Sequence, residues 1–346
     1  MDATTIAVDL AKHTFEVVIA PGGGPVTRRR LSRAQFARFL RTQAPARVVM
    51  EACATAHYWA RVAQACGHQP TLVPAQYVTP FVRRQKTDRT DVDGLLEAYR
   101  GAGLPSVAVK TVAQQEVASL HRLREQWMTT RTARINALRG LMAEFGVIVP
   151  PGVRRVCAAT LALLDQPDGG VPGRLRRGLM DVVEEIRALE TRVTACEREL
   201  QAIADTHPII TQLQTIPGVG LVTATALVAA VGHIGGFTRG RRFASWLGLT
   251  PREHSSGSRR RLGAITKAGN RYLRSLLTHG ARAALFAARR RAHAHRPLST
   301  LQQWALTVLA RRGANRATIA LANKLARIVW AVWTRDVPYT ARLVAA

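Results

Sequence analysis

Apolar and polar positions alternate from the start of the chain. Residues 4–9 (TTIAVD) and 14–20 (TFEVVIA) are rich in β-branched and apolar residues and are joined by a short polar link, which predicts an antiparallel hairpin. A third strand is expected around 25–30. Phe36, Phe39 and Leu40 recur at helical spacing within 32–42, and the apolar run 47–50 reads as a buried strand ending at Glu51. A helix over 54–66, a short strand over 71–73 and a helix over 91–100 complete the order β-β-β-α-β-α-β-α, an α/β pattern with mixed strand pairing.

The period then changes to that of long helices. Residues 112–144 predict one helix with apolar positions at Val117, Leu120, Trp127, Ile135 and Leu138, and with Arg122, Arg124, Arg131, Arg134 and Arg139 on its other faces. Pro150-Pro151-Gly152 and Gly169-Gly170 mark a break. In a second helix, 178–203, Val182, Ile186, Leu189, Val193, Cys196, Leu200 and Ile203 step alternately by four and three, a heptad seam. Two such helices joined by a loop predict an antiparallel coiled-coil arm, and the seam suits dimerisation and internal packing equally. Ile216-Pro217-Gly218-Val219-Gly220 then precedes a small-residue helix over 221–231. This is similar to a helix-hairpin-helix, in which Gly218 and Gly220 let backbone N–H groups approach a phosphate. An ordinary helix–glycine turn–helix is the other reading. Three domains are expected: an α/β domain over 1–108, a helical arm over 109–206 and a mainly α domain over 207–346.

Charge narrows the partners. Of 346 residues 47% are apolar, enough for proper cores, yet 50 Lys and Arg face 22 Asp and Glu for a net charge of +28. Such a charge opposes compaction unless a polyanion neutralises it, and nucleic acid is the obvious one. A GC-rich coding bias accounts for arginine over lysine but not for the shortage of acids. Cys53, Cys66, Cys157 and Cys196 form no CxxC pair, so zinc and redox motifs are not indicated and reduced thiols in a cytoplasmic protein are expected. The N-terminal stretch lacks the form of a signal peptide, no membrane-spanning run is evident, and no membrane partner is expected.

Four acids stand in unusual places. Asp9 follows Ile6-Ala7-Val8 and Glu51 follows Val48-Val49-Met50, each an acid at the end of an apolar strand, where burying an unpaired carboxylate is costly. Asp88 and Asp91, three apart at a helix start, share a helical face. Together they offer an all-oxygen donor set for Mg²⁺, whose paired ions clamp the attacking and leaving oxygens of a phosphodiester. The structural alternatives are a hairpin-turn role for Asp9, a helix cap for Glu51 and helix-dipole partners for Asp88 and Asp91. Asp93 points away from Asp91 on a helix and is read as a bystander.

Residues 239–274 are the most basic stretch. Arg241, Arg252, Arg259, Arg260 and Arg261 lie in it with Lys267 and Arg271, and they surround His254-Ser255-Ser256-Gly257-Ser258. A serine in an arginine field suits attack on a phosphate, whose developing charge the guanidiniums stabilise. A general-base role for His254 stays open. A flexible Ser/Gly turn whose arginines only grip a nucleic-acid backbone is the other reading.

The segments IAVDLAKHTFEVVIA, VVMEACATAHYWA, KTDRTDVDGLLEA, TIPGVGLVTATALVAAVG, FASWLGLTPREHSSGSRRRLGAITKAGNRYLRSLL and ANKLARIVWAVW occur in that order. As an ordered set over nearly the whole chain they resemble bacterial insertion-sequence transposases of the "insertion sequence one-ten" family, including its one-one-one-one branch. The resemblance implies an N-terminal ribonuclease-H/RuvC-like DEDD domain, with Asp9, Glu51, Asp88 and Asp91 binding Mg²⁺. It implies a C-terminal serine domain in which Ser256, directly before glycine, is the covalent nucleophile and Ser255 its competitor. It further implies excision and insertion of a mobile element in double-stranded donor and target DNA. A structured non-coding guide RNA would bridge the two, and the active unit would be a homo-oligomer, dimer or tetramer, in a bacterial, nucleoid-associated setting. Arg122, Arg131 and Arg134 would contact a nucleic-acid backbone or a neighbouring protomer. A metal-dependent junction nuclease and a non-catalytic nucleic-acid-binding protein remain the alternatives.

Overall fold

Alternation along β1 (Thr5–Leu10) sends Ile6 and Val8 into one apolar layer and Ala7 into another. The structure, a computed structural model, describes residues 4–82, 87–101, 103–166 and 171–341, and its backbone divides into two units, 1–113 and 114–346. The Gly169-Gly170 break lies outside the described residues.

In the first unit β2 (Thr14–Ala20) and β3 (Thr27–Ser32) continue antiparallel from β1. α1 (Arg33–Thr42) follows, its start fixed by a capping box between Ser32 and Gln35. β4 (Arg47–Glu51), α2 (Ala56–Ala65) and β5 (Gln69–Val73) come next, with β4 parallel to both β1 and β5. The sheet order is therefore β3-β2-β1-β4-β5, the mixed α/β arrangement that the pattern predicts. One face carries an aromatic core in which Phe15 meets Phe36 and Trp59 edge-on, with ring centroids 5.2 Å apart in both pairs. The other face presents short side chains, Ala7, Ala20 and Val49. Beyond the one-turn α3 (Ala75–Val78), α4 (Asp88–Arg100) packs there through Val92, Leu95 and Leu96. Gly94 permits a close approach, because a Cβ there would lie 2.9 Å from the Val82 side chain.

α4 starts at Asp88, three residues before the expected 91. Thr87 and Thr90 form a capping box that satisfies the first turn. The N-cap of α4 is thus Thr87, and that of α2 is Thr55.

The second unit begins with two 33-residue helices, α5 (Val112–Glu144) and α7 (Gly173–Asp205), with α6 (Val153–Leu164) between them. The sequence pattern does not reveal α6, because Pro150-Pro151-Gly152 obscures its start. Its Val156 and Cys157 bury against Leu138, Met142 and Ile186. α5 and α7 run antiparallel, since Arg124, Arg131 and Arg134 pair with Glu197, Glu190 and Glu185 in descending order. Ile186, Leu189, Val193, Cys196 and Leu200 of the expected seam are buried. At its ends Val183 and Ala204 are buried instead of Val182 and Ile203, which are partly buried beside them. All four cysteines are free thiols, and burial pushes the pKa of Cys157 and Cys196 up.

The remaining chain forms α8 (Pro208–Gln214), α9 (Leu221–Val231), α10 (Gly240–Trp246), the strand pair β6 (Pro251–Glu253) and β7 (Leu262–Ile265), and then α11 (Arg271–His293), α12 (Thr300–Arg312) and α13 (Ala314–Arg335). Leu277, Ala281, Leu321, Leu325 and Val329 centre its core. Among the described residues no helix is long and apolar enough to cross a membrane.

His121 of α5 ties this core together. It is 4% exposed. Thr225 Oγ1 donates to the Leu221 carbonyl and so accepts from His121 Nε2 at 3.0 Å, leaving Nδ1 to accept from the Tyr272 hydroxyl at 3.1 Å. That pairing requires the neutral ring. Burial and, secondarily, the Arg124 charge pull its pKa down to about 4. Between about pH 6.5 and 4 the unfolded chain therefore binds a proton that the folded chain does not. The stability from the neutral ring is complete above that window and is lost as pH falls through it. We expect the unfolding free energy to drop by about 2 kcal/mol more between pH 7 and pH 5 in the native protein than in His121→Gln, measured by denaturant titration. Equal drops in both proteins would show that the folded state does not hold this ring neutral.

Candidate functional site

The β1–β4 register decides where two of the four acids go. Ala7 stands beside Val49 and Val8 beside Met50, so continuing the parallel pairing sets Asp9 beside Glu51. By alternation both share the face of Ala7 and Val49, the face that α4 covers. Asp9 lies within β1 rather than in the turn, and both acids are half-buried. Asp91 is on α4, adjacent to the buried Val92 that packs on this face. Asp88 opens α4, and its side chain lies outside the described residues. Among the described residues no three potential ligands are gathered closely enough to form a metal cluster. The structure thus brings Asp9 and Glu51 together and places Asp91 on the covering helix.

Sequence reading missed a further acid. Glu16 is the direct partner of Asp9 across the antiparallel β1–β2 pair, and it forms an ion pair with Arg30 of β3 at 3.4 Å. Arg30, Glu16, Asp9 and Glu51 therefore form one row across four strands. The signal was in the sequence, since Glu16 alternates with inward residues just as Asp9 does, but only strand pairing reveals the row. Asp93, read as a bystander, forms an ion pair with Arg28 at 2.6 Å.

In the second unit the serines sit on the β6–β7 hairpin. Ser256 and Arg259 exchange both backbone hydrogen bonds, at 3.3 and 3.1 Å, around Gly257-Ser258. Gly257 has a φ of +55° and Ser258 does not share the positive sign, the φ pattern of a type II′ turn, whose first central position favours glycine. At its foot, the Thr266 and Lys267 amides donate to the Thr250 and Gly248 carbonyls. A Cβ at Gly269 would lie 1.9 Å from the Trp246 carbonyl, so the two legs meet backbone to backbone. The Ser/Gly segment thus forms a hairpin tip whose base is tied backbone to backbone.

The two serines differ. Ser255 donates to Glu253 Oε1 at 2.8 Å and accepts from the Arg261 amide at 3.2 Å, while Arg260 bonds the same carboxylate oxygen at 3.2 Å. The Ser255 hydrogen bond and the Arg260 charge hold the Glu253 carboxyl below the usual range. Glu253 is the sole acid between 239 and 274, and sequence reading overlooked it. Ser256, with His254 on its own side of the strand by alternation, has no side-chain hydrogen-bond partner among the described residues. Arg252, Arg259, Arg261 and Lys267 are exposed on the hairpin and its foot, Arg241 and Arg271 are exposed on α10 and α11, and Arg252 also reaches the Thr266 carbonyl.

Other expected contacts fall differently. Arg131 and Arg134 pair with α7 glutamates, whereas Arg122 is exposed and has no partner among the described residues. Gly218, at φ +87°, faces protein: a Cβ on it would lie 2.4 Å from the Gly280 carbonyl oxygen of α11. Gly220 is exposed at the N-cap of α9 and has open space around it.

Residues 6–146 match a DEDD transposase model of IS110, described as Transposase, and residues 210–296 match one described as Transposase IS116/IS110/IS902 family. A probable family 20 transposase of Pseudomonas aeruginosa is 40% identical over 98% of this chain and 99% of its own length. The transposase for insertion sequence element IS1111A of Coxiella burnetii is 37% identical over 98% and 92%. The transposase for insertion sequence element IS1328 of Yersinia enterocolitica is 33% identical over 98% and 99%.

If Glu253 holds the hairpin as its contacts indicate, Glu253→Ala accelerates amide hydrogen exchange over residues 254–261 by roughly five- to tenfold, and Glu253→Gln, which can still accept from Ser255, by less. Unchanged exchange in Glu253→Ala would remove that role.

Proposed function

The chain belongs to the IS116/IS110/IS902 transposase family, and from that premise we propose that it excises and inserts a mobile element with Ser256 as the attacking nucleophile. The carrying observation is the contrast between the two hydroxyls. Ser255 is engaged by Glu253 and Arg261, while Ser256 stands unengaged at the tip of an arginine-rich hairpin. In the proposed step Ser256 Oγ loses its proton to a neighbouring base, for which His254, two residues before it, is the candidate. The Oγ–P bond forms as the bond from phosphorus to one deoxyribose oxygen breaks, and that oxygen takes up a proton. The phosphodiester is exchanged for a phosphoserine ester, so the reverse step on a second strand needs no external energy source. Arg259, Arg261 and Lys267 stabilise charge on the phosphoryl oxygens.

Asp9, Glu51 and Asp91, with Asp88 from the same helix, are proposed to hold divalent cations, Mg²⁺ by the hardness of an all-carboxylate donor set. The row of like charges through Glu16, Asp9 and Glu51 supports that reading. Such ions, when bound, supply positive charge to the non-bridging oxygens of the scissile phosphate. We read α5 and α7 as a coiled-coil arm, the α8–α9 turn as a helix-hairpin-helix-like element gripping phosphate at Gly220, and the protein as a cytoplasmic, nucleoid-associated homo-oligomer. A net charge of +28 suits two polyanions, DNA and a structured guide RNA from the element.

A reconstituted assay with element DNA, target DNA and RNA transcribed from the element's flank tests this. Ser256→Ala, Asp9→Asn and Glu51→Gln each lose recombination by about a thousandfold or more, chelation of divalent ions abolishes it, and Ser255→Ala retains most of it. Omitting the RNA abolishes it too. Strand cleavage that survives Ser256→Ala would replace the recombinase with a metal-dependent nuclease, and full activity without RNA would remove the guide.

A further inference from the structure

A second basic feature lies away from the hairpin tip. The segment entering α10 and the C-terminal half of α13, with the chain that follows it, enclose a cleft of about 620 Å³. Arg239, Arg241, Lys324, Arg327 and Arg335 line it, and among the described residues no carboxylate does. Among the described residues none of the four arginines has an ion-pair partner. Five like charges around one cavity repel one another, and an anion relieves that repulsion.

The remaining lining is apolar and aromatic. Trp330 has its indole fixed by donating to the Phe237 carbonyl at 2.8 Å. Half-buried Tyr339 is pinned through its amide, which donates to Thr215 Oγ1 at 2.8 Å. Gly240 lets the two walls approach, since a Cβ there would stand 3.3 Å from both the Arg327 backbone and the Trp330 ring. Lys324 lies over the Trp304 ring at 3.9 Å, and burial, then Arg327, lowers its pKa. The cleft is thus preformed, with aromatic surface inside and cations around it.

A duplex has its bases stacked away and offers such a cleft only phosphate. An unpaired nucleotide offers both a phosphate and a flat apolar base, and stacking on aromatic side chains beside cations is how single strands are held. The volume falls within the ~300–1,000 Å³ range of small-ligand sites. We propose that this cleft captures an unpaired nucleotide of a single-stranded segment, its base against Trp330 and Tyr339 and its phosphate among Arg239, Arg327 and Arg335. The proposal rests on the nucleic-acid reading above and adds to it a site selective for single strands.

The test uses the full chain and short fluorescent oligonucleotides at one salt concentration: single-stranded DNA, single-stranded RNA of the same sequence, and the DNA duplex. Trp330→Leu, which keeps apolar volume, and the surface pair Arg239→Gln/Arg335→Gln are each expected to weaken single-strand binding about tenfold and duplex binding by less than about threefold. Photo-crosslinking with 5-iodouracil should map to Trp330 or Tyr339, and whichever strand crosslinks identifies the source as DNA or RNA. Equal losses for single strands and duplex, or crosslinks confined to other surfaces, overturn the cleft while leaving the transposase reading intact. Failure of the native chain to bind any of the three probes overturns both.

Discussion

Neighbouring parallel strands whose side chains share a face bring equivalent positions side by side, and β1 and β4 do this to Asp9 and Glu51. At one strand spacing, about 4.8 Å, two like charges repel by roughly 3 kcal/mol at an effective dielectric of about 20. The antiparallel partner adds Glu16 to the same row, and Arg30 pairs with Glu16 at its outer end. Such a row concentrates negative charge on the face that α4 covers, and this is the ground on which a divalent cation is proposed there. The small side chains beneath α4 belong to the same design: Ala7, Ala20 and Val49 let α4 lie close, and α4 carries Asp91.

In the second unit the governing theme is how an excess of arginine is distributed. Three α5 arginines are neutralised by α7 glutamates, which orders the long helices but takes those charges away from any polyanion. Of these pairs Arg134–Glu185 is exposed on both sides and contributes little, ~0–1 kcal/mol, while the Arg124 and Arg131 side chains are largely buried between the helices. The buried His121–Tyr272–Thr225 contacts then link α5 to α11 and α9. α11 starts directly after the foot of the serine hairpin, with Asn270 capping it and Arg274 bonding the Leu247 and Gly269 carbonyls of that foot. Among the described residues, arginines without an acid partner stand at the hairpin, as Arg252, Arg259 and Arg261 do, and in the α10–α13 cleft.

Where burial follows local periodicity, the sequence was readable. The alternation around Asp9, the run before Glu51, the bounds of α5 and the small-residue α9 all appear in it. Where structure depends on distant partners, it was not. Gly218 invites a phosphate-binding reading until Gly280, far along the chain, fills the space beside it. Arg131 and Arg134 look like phosphate ligands until α7 folds back on them. β6 and β7 are short and exposed, with no apolar alternation to mark them. Glu253 gains its meaning only when the hairpin brings Ser255, Arg260 and Arg261 around it.

The central claim is that the Ser256 oxygen becomes bonded to DNA. Its most direct test is to trap the protein on a nicked element-end DNA that cannot religate, digest the denatured adduct and locate the nucleotide by mass spectrometry. The account predicts a single phosphodiester-linked site at Ser256, formed only with a divalent cation present. An adduct on Ser255, or strand exchange that proceeds with no adduct on this hairpin, would contradict it.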